Sequence, residues 1–172
     1  KDLNLGSELR LELESADRVD IIMAFIKKGG VRSIESALKK LRERNVPVRI
    51  LTSVYLGASD KAAIDRLVEE FGAEVRISFD TNSTRLHAKA WLIHRDSGFS
   101  TAYVGSSNLS DPALGDGMEW NVRLSQIASP NLLRHFGIAF EGYWLGGEFK
   151  PYDSTNDAEK LEEALARANF KT

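Results

Sequence analysis

Two spacings of apolar residues alternate along the first half of the chain. Three short stretches have the continuous or alternating apolar pattern of strands, namely residues 19–26, 46–52 and 74–79. Three others have apolar residues at helical spacing, namely residues 7–16, 31–41 and 60–71. Ser7 and Asp60 are the predicted helix caps, and Gly29-Gly30 is interpreted as a tight turn or as an anion-binding nest. This alternation predicts an α/β layer structure with a mostly parallel core.

The pattern changes after residue 85, where strands follow one another without helices between them. Strands are predicted over about residues 86–94, 101–106 and 118–124. Residues 95–98 have turn chemistry, so the first two of these strands are expected to form an antiparallel hairpin. In the third strand Val122 and Leu124 are expected to face the core, together with Met118 and Trp120.

Two helices, near residues 130–144 and 156–168, are predicted to close the chain. The fold class expected from the whole pattern is α/β, with a mixed β-sheet flanked by helices on both faces. The expected division is one domain over residues 1–150, followed by a C-terminal helix over residues 151–172. That helix is interpreted as a dimer arm, a linker or ordinary packing.

Composition restricts the class of protein. The chain has 172 residues, no cysteine and a net charge of −2, so disulfides and cysteine-based zinc sites are excluded. No apolar run approaches the roughly 20 residues that span a bilayer. The first residues have neither an initiator methionine nor a signal-peptide pattern, so we expect a cytoplasmic piece of a longer protein. Any polyanion must be bound by a local patch.

His87 and Lys89 are the first residues that indicate chemistry. They are two positions apart on a predicted strand, and side chains alternate along a strand, so both face the same side. An imidazole nucleophile beside a fixed cation suits attack on a phosphate diester. A histidine that is merely structural is the simpler alternative for His87.

Polar residues at the ends of the next two strands extend this candidate site. Ser106 and Asn108 share a face and are able to donate hydrogen bonds to phosphate oxygens. Glu119 is placed to accept the second ring N–H of His87 and so to fix its tautomer. Arg123 either extends the phosphate site or pairs with an acid.

These motifs, in this order, resemble the phospholipase D superfamily, whose signature is H-x-K-x4-D followed by G-S-x-N. Residues 86–125 are similar, more narrowly, to the phospholipase D-like nuclease domain at the N-terminus of bacterial superfamily II DEAD/DEAH-type helicases. The resemblance implies a phospholipase D-like fold and a metal-independent phosphodiesterase without cofactors. It also implies nucleic acid, DNA in particular, as substrate and helicase domains as partners.

The resemblance also implies roles for residues. His87 is expected to form a phosphohistidine, and His87, Lys89, Asn108 and Glu119 inherit the catalytic roles. Lys89, Ser106 and Asn108 are the implied phosphate ligands. The chain departs from the family pattern at His94, which stands where the family has aspartate. Strand alternation turns position 94 away from His87, so that aspartate is interpreted as structural.

A second departure concerns the number of histidines. The family chemistry uses two, whereas this chain has one H-x-K motif. Single-motif members of the family pair two chains about a two-fold axis, so we expect a homodimer with a composite active site.

Other interpretations stay open. One is a catalytically silent module of a helicase that binds DNA or phosphate and dimerises. Another is a phospholipase, although no basic amphipathic helix indicates membrane binding. A metal site formed by His87, His94 and Asp96 is disfavoured because the two histidines face opposite sides. Trp91 is interpreted as a packing residue, with base stacking as the alternative.

Overall fold

A computed structural model describes residues 5–80, 89–105 and 121–170 of the chain. Its strands are β1 (Arg18–Ile22), β2 (Val48–Ser53), β3 (Glu74–Ser78), β4 (Lys89–His94), β5 (Thr101–Gly105), β6 (Asn121–Ser125) and β7 (Lys150–Pro151). Its helices are α1 (Leu5–Leu13), α2 (Lys28–Glu43), α3 (Lys61–Glu69), α4 (Pro130–Leu145) and α5 (Ala158–Asn169). A short 3₁₀ turn covers Tyr55–Gly57.

The strands form one mixed sheet in the order β6-β5-β4-β1-β2-β3-β7. The strands β1, β2 and β3 are parallel, as the strand–helix alternation predicts. β4 lies antiparallel on the other side of β1, and β4, β5 and β6 form an antiparallel meander. The turn between β4 and β5 contains Gly98 at a φ of 89°, a conformation that glycine adopts without strain. The α/β fold class and the hairpin are therefore confirmed.

The larger core lies on one face of the sheet, under α1, α2, α3 and α5. It contains the alternate strand residues that point to this side, such as Val19, Ile50 and Trp91. The apolar residues of α2 recur at helical spacing and pack here, including Ile34 and Leu38, which are almost fully buried. We call this face the apolar face. Trp91 is thus a packing residue and not an exposed base-stacking surface.

The opposite face is covered by α4 and carries a smaller apolar cluster. Its buried members are Ile22, Leu51, Leu92, Ala102, Phe140, Trp144 and Phe149. Phe140 and Trp144 stack on each other with ring centroids 5.8 Å apart. We call this the α4 face. Helices therefore flank both faces of the sheet, as expected.

Four local predictions are corrected by the structure. The first strand ends at Ile22, because the chain then turns towards α2. α1 begins at Leu5, so Ser7 lies inside the helix and not at its cap. α2 begins at Lys28, so Gly29-Gly30 forms part of its first turn and neither glycine has a positive φ. Val122 is 60% exposed, because β6 is the edge strand, whereas Leu124 packs against the α4-face cluster.

The last helix, α5, packs into the larger core. Leu161, Ala164 and Leu165 belong to that core. The short strand β7 precedes α5 in the chain and pairs with β3. No sequence pattern indicated this strand. The predicted division at residue 150 stays a prediction. None of the helices in the described part of the chain has the length and hydropathy needed to cross a membrane.

Candidate active site

Lys89 is the predicted site residue that falls within the described part of the chain. His87, Ser106, Asn108 and Glu119 lie outside the described residues. The structure therefore bears on the candidate site through Lys89 and through the strand ends that lead to the other four.

Three strand ends form one row across the sheet. Lys89 at the start of β4 lies opposite Gly105 at the end of β5, and Gly105 lies opposite Asn121 at the start of β6. Paired Cα atoms on neighbouring antiparallel strands are about 4.5–5.5 Å apart. In sequence, the other four candidates are one to three positions from a member of this row. The three motif segments therefore meet the sheet at one place.

This row lies beside the carboxyl ends of the parallel strands. Ile22, the last residue of β1, pairs with Ala90, the neighbour of Lys89. The end of β1 is in register with β2 at Leu51, and β2 ends two residues later at Ser53. Ligands of open α/β sheets bind beyond the carboxyl ends of the parallel strands. The Lys89 row is therefore where this architecture favours a site.

Lys89 presents an available charge at that edge. Its side chain is half-buried and shares a strand face with Trp91 and Ile93. Within residues 5–80, 89–105 and 121–170, no side chain forms an ion pair with the Lys89 ammonium group. An ammonium group in this position suits a phosphate group as a point charge.

Buried hydroxyl groups hold the loops that follow β1 and β2. Ser53 donates to the carbonyl of Ala24 at 3.0 Å, and the amide of Ile26 donates to the hydroxyl of Ser59 at 3.1 Å. Asp60 accepts the Lys28 amide at 2.8 Å and so caps α2 from a different loop. This hydrogen bond to Asp60 occupies the Lys28 amide, which an anion-binding nest at this place would need.

Asp20, the middle residue of β1, forms a charged cluster on the α4 face, and its partners Arg18 and His94 lie at the strand ends remote from Lys89. Asp20 is 1% exposed and accepts hydrogen bonds from Arg49 at 2.8 and 3.0 Å. His94 Nε2 lies 2.8 Å from the same carboxylate, and Arg18 Nε lies 3.5 Å from it. Arg49 also contacts Glu141 of α4.

Burial alone would raise the pKa of Asp20, but the hydrogen bonds from His94 and Arg49 outweigh it and hold that pKa below the ordinary value. Asp20 is therefore a buried carboxylate that stays ionised at neutral pH. His94 faces away from the Lys89 side of β4, as strand alternation predicts. His94 Nε2 contacts the Asp20 carboxylate, and His87, which the metal-site hypothesis joins with His94 and Asp96, lies outside the described residues. Groups of His, Asp or Glu with a metal-binding arrangement are absent from the described residues.

The cluster includes His94, where the sequence departs from the pattern that it resembles. The family motif has an acid there, whereas this chain has His94 and an acid on the neighbouring strand β1. A carboxylate is thus present at this place in the sheet, supplied by Asp20. Sequence reasoning missed this residue, although a charged side chain inside the apolar run 19–26 was a signal that a buried partner exists.

Arg123 is paired with an acid. Its guanidinium group donates to Glu12 of α1 at 2.8 and 3.1 Å. Glu12 also accepts hydrogen bonds from Arg95 and Thr101. Burial would raise the pKa of Glu12, but the hydrogen bonds from these three residues lower it overall. Of the two interpretations of Arg123, the structure supports the ion pair.

Comparisons with known proteins identify the family. The family model described as "Cardiolipin synthase, PLD-like domain" matches residues 10–144. The chain therefore belongs to this phospholipase D-like family. A comparison with curated protein sequences gives no match.

Solved structures support the same fold. NucT from Helicobacter pylori is 16% identical with a TM-score of 0.58, and the match covers 84% of this chain and 89% of that chain. The phosphatidylserine synthase of Haemophilus influenzae Rd KW20 is 15% identical with a TM-score of 0.62. That match covers 97% of this chain and 43% of the synthase. At these identities the likeness concerns the fold.

Proposed function

We propose that the chain is a metal-independent phosphodiesterase that acts on nucleic acid, DNA in particular, through a phosphohistidine intermediate. The observation that carries the proposal is the row formed by Lys89, Gly105 and Asn121, because it brings the three motif segments to one sheet edge. Membership of the phospholipase D-like family supports the class of reaction. The preference for DNA rests on the resemblance to helicase-associated domains.

The proposed reaction has two displacements at phosphorus. His87 attacks the diester and forms a phosphorus–nitrogen bond, while the bond to the leaving oxygen breaks and that oxygen takes a proton from the partner's His87. A water molecule then gives a proton to the partner's His87, attacks the phosphohistidine and frees His87. Lys89 and Asn108 stabilise the negative charge on the phosphate oxygens in both steps.

The test is cleavage of a model diester and of plasmid DNA in the presence of EDTA. We expect His87→Ala to lose at least about 10³-fold in turnover with the fold retained. We expect Lys89→Gln to lose about 10²-fold or more, because it removes transition-state stabilisation. Lys39→Gln, on the exposed side of α2, is the matched control and keeps its activity. Undiminished cleavage by His87→Ala would contradict the mechanism.

The proposal includes a homodimer, since the reaction uses two histidines and the chain has one H-x-K motif. The exposed side of β6 supports it, because Val122, the neighbour of Asn121 in the Lys89 row, is 60% exposed. We expect light scattering to give the mass of two chains, and Val122→Asp to give one chain and lost cleavage. Leu11→Asp, at a 61% exposed site on α1, is the control that stays dimeric. A monomeric wild type that cleaves DNA would contradict the composite site.

Two alternatives are separated by the same assay. The first is the catalytically silent module, favoured by the net charge of −2 and by His94 in place of the family's aspartate. It predicts DNA binding that weakens with salt and no cleavage. The second is reaction with a lipid diester, suggested by the words "cardiolipin synthase" and "phosphatidylserine synthase" in the comparisons. Vesicles of phosphatidylglycerol test it in parallel with DNA.

A further inference from the structure

A cleft lies at the end of β4 that is remote from Lys89. His94, the last residue of β4, lines it, and at about 3.4 Å per residue it is about 17 Å from Lys89 along the strand. The cleft opens between the strand ends and α4 and has a volume of about 600 Å³. Small-molecule sites have volumes of about 300–1,000 Å³. The cleft is therefore large enough for a ligand and separate from the Lys89 row.

Basic side chains dominate the charge of this cleft. Arg18 and Arg134 line it, and Arg18 lies 3.5 Å from the buried carboxylate of Asp20. Arg134 is exposed on α4 and forms no ion pair with any other residue that the structure describes. Glu141, the acid among the lining residues, is bound to Arg49. The positive charge of Arg134 is thus left for a ligand, and a guanidinium group matches the geometry of a phosphate.

The start of α4 adds to the positive potential. Pro130 and Asn131, in its first turn, line the same cleft. The cap residue Ser129 makes no side-chain hydrogen bond to the helix. The amino end of a helix of 16 residues has a partial positive charge, which favours an anion. The helix end and the guanidinium group of Arg134 therefore both favour an anionic ligand.

The rest of the wall is apolar. Leu92 lies at the bottom with the α4-face cluster, and Leu133 and Ile138 project from α4 along the cleft. Ile138 is 63% exposed, so a ligand that covered it would remove apolar surface from water. An inorganic anion alone would leave this wall uncovered. A ligand that has both a phosphate and a flat apolar group would use both parts of the cleft.

We propose that this cleft binds a small phosphate monoester that carries an apolar ring, of the size of a mononucleotide. Arg134 and the amino end of α4 bind the phosphate, and the ring lies against Leu133 and Ile138. The proposal concerns a site distinct from the proposed catalytic edge, and its outcome is independent of whether the chain cleaves DNA.

Calorimetric titration of the whole chain with adenosine 5′-monophosphate tests the site. We expect one saturable site, at least tenfold weaker binding of adenosine, and at least tenfold weaker binding of the nucleotide by Arg134→Gln. Arg167→Gln, an exposed site on α5, removes the same charge and leaves the affinity unchanged. Lys89→Gln also leaves it unchanged, which separates this cleft from the catalytic edge.

Three results would overturn the proposal. One is the absence of saturable binding at millimolar nucleotide. Another is loss of binding in Lys89→Gln with retention in Arg134→Gln, because the nucleotide would then occupy the catalytic edge. The third is a short oligonucleotide that binds through Arg134 while the mononucleotide does not, because the cleft would then belong to a path for nucleic acid.

Discussion

The apolar face of the sheet presents mainly apolar side chains, with Thr101 and Arg123 contacting Glu12 of α1. The α4 face presents Asp20, Arg49 and Arg76 among its apolar side chains. Residues on one strand illustrate the difference: Ile50 is buried in the larger core, and its neighbour Arg49 binds Asp20 and Glu141. Burial of apolar area is non-directional, but charged hydrogen bonds fix a partner's position. The apolar face therefore stabilises the domain, and the α4 face in addition fixes where α4 lies.

Aromatic side chains strengthen this directional contact. The guanidinium group of Arg49 lies 4.9 Å from the ring centre of Phe140, and that of Arg76 lies 4.3 Å from the ring centre of Trp144. Each such cation–π contact contributes on the order of 0.5–2 kcal/mol, depending on its exposure. Because Phe140 and Trp144 are both on α4, losing the charged cluster should release this helix before the rest of the fold.

The largest expected effect is that of Asp20→Ala. It removes a carboxylate that is 1% exposed and leaves Arg49 without that partner, at a cost of about 3–5 kcal/mol in the free energy of unfolding. Ile50→Ala should cost about 2–5 kcal/mol on the apolar face. Urea unfolding measures both costs.

The comparison of the two faces is tested by which helices lose protection from hydrogen exchange in each variant. We expect hydrogen exchange in Asp20→Ala to accelerate more in α4 than in α2, and in Ile50→Ala to accelerate in both. Glu163→Ala, at an exposed site on α5, is the control with less than about 0.5 kcal/mol of effect. Equal exchange patterns in the two core variants would mean that the charged cluster does not hold α4 selectively.

Acid should weaken the α4 face through Asp20. Its pKa is lower in the folded chain than the unfolded value of about 3.9, so its contribution is present above pH 4 and is lost as the pH falls through the folded pKa. The loss is about 1.4 kcal/mol for each unit between the two pKa values. We expect the stability difference between wild type and Asp20→Asn to shrink from pH 6 to pH 3 in urea unfolding. A difference that stays constant over this interval would show that Asp20 does not titrate in it.

Sequence patterns predicted what depends on neighbours along the chain. Apolar runs and helical spacing gave β1, β2, β3 and the helices between them, and the turn chemistry of residues 95–98 gave the hairpin. The charged cluster depends on contacts between Asp20 and residues 29 and 74 positions away in sequence, which no local pattern encodes. β7 has two residues, one of them Pro151, so it has no periodicity to detect.

The candidate site divides in the same way. Strand alternation predicted the side of β4 on which Lys89 lies. The register that places Lys89, Gly105 and Asn121 in one row could not be predicted, because pairing between β4, β5 and β6 is a tertiary property. The exposure of Val122 was missed for a related reason. An apolar residue in an alternating strand points to one side, but whether a helix covers that side depends on how far α4 extends.

The smallest expected effect concerns the apolar face, where Glu12 of α1 forms ion pairs with two arginines whose side chains differ in exposure. The side chain of Arg95 is 10% exposed and also donates to Ser15, Thr101 and the carbonyl of Phe99. That of Arg123 is 50% exposed, so water screens its pair with Glu12. In urea unfolding we expect Arg95→Gln to cost about 1.5–3 kcal/mol and Arg123→Gln at most about 1 kcal/mol. If Arg123→Gln cost as much as Arg95→Gln, exposure would not govern the strength of these pairs. The larger stability cost expected for Asp20→Ala on the α4 face could then not be attributed to the burial of Asp20.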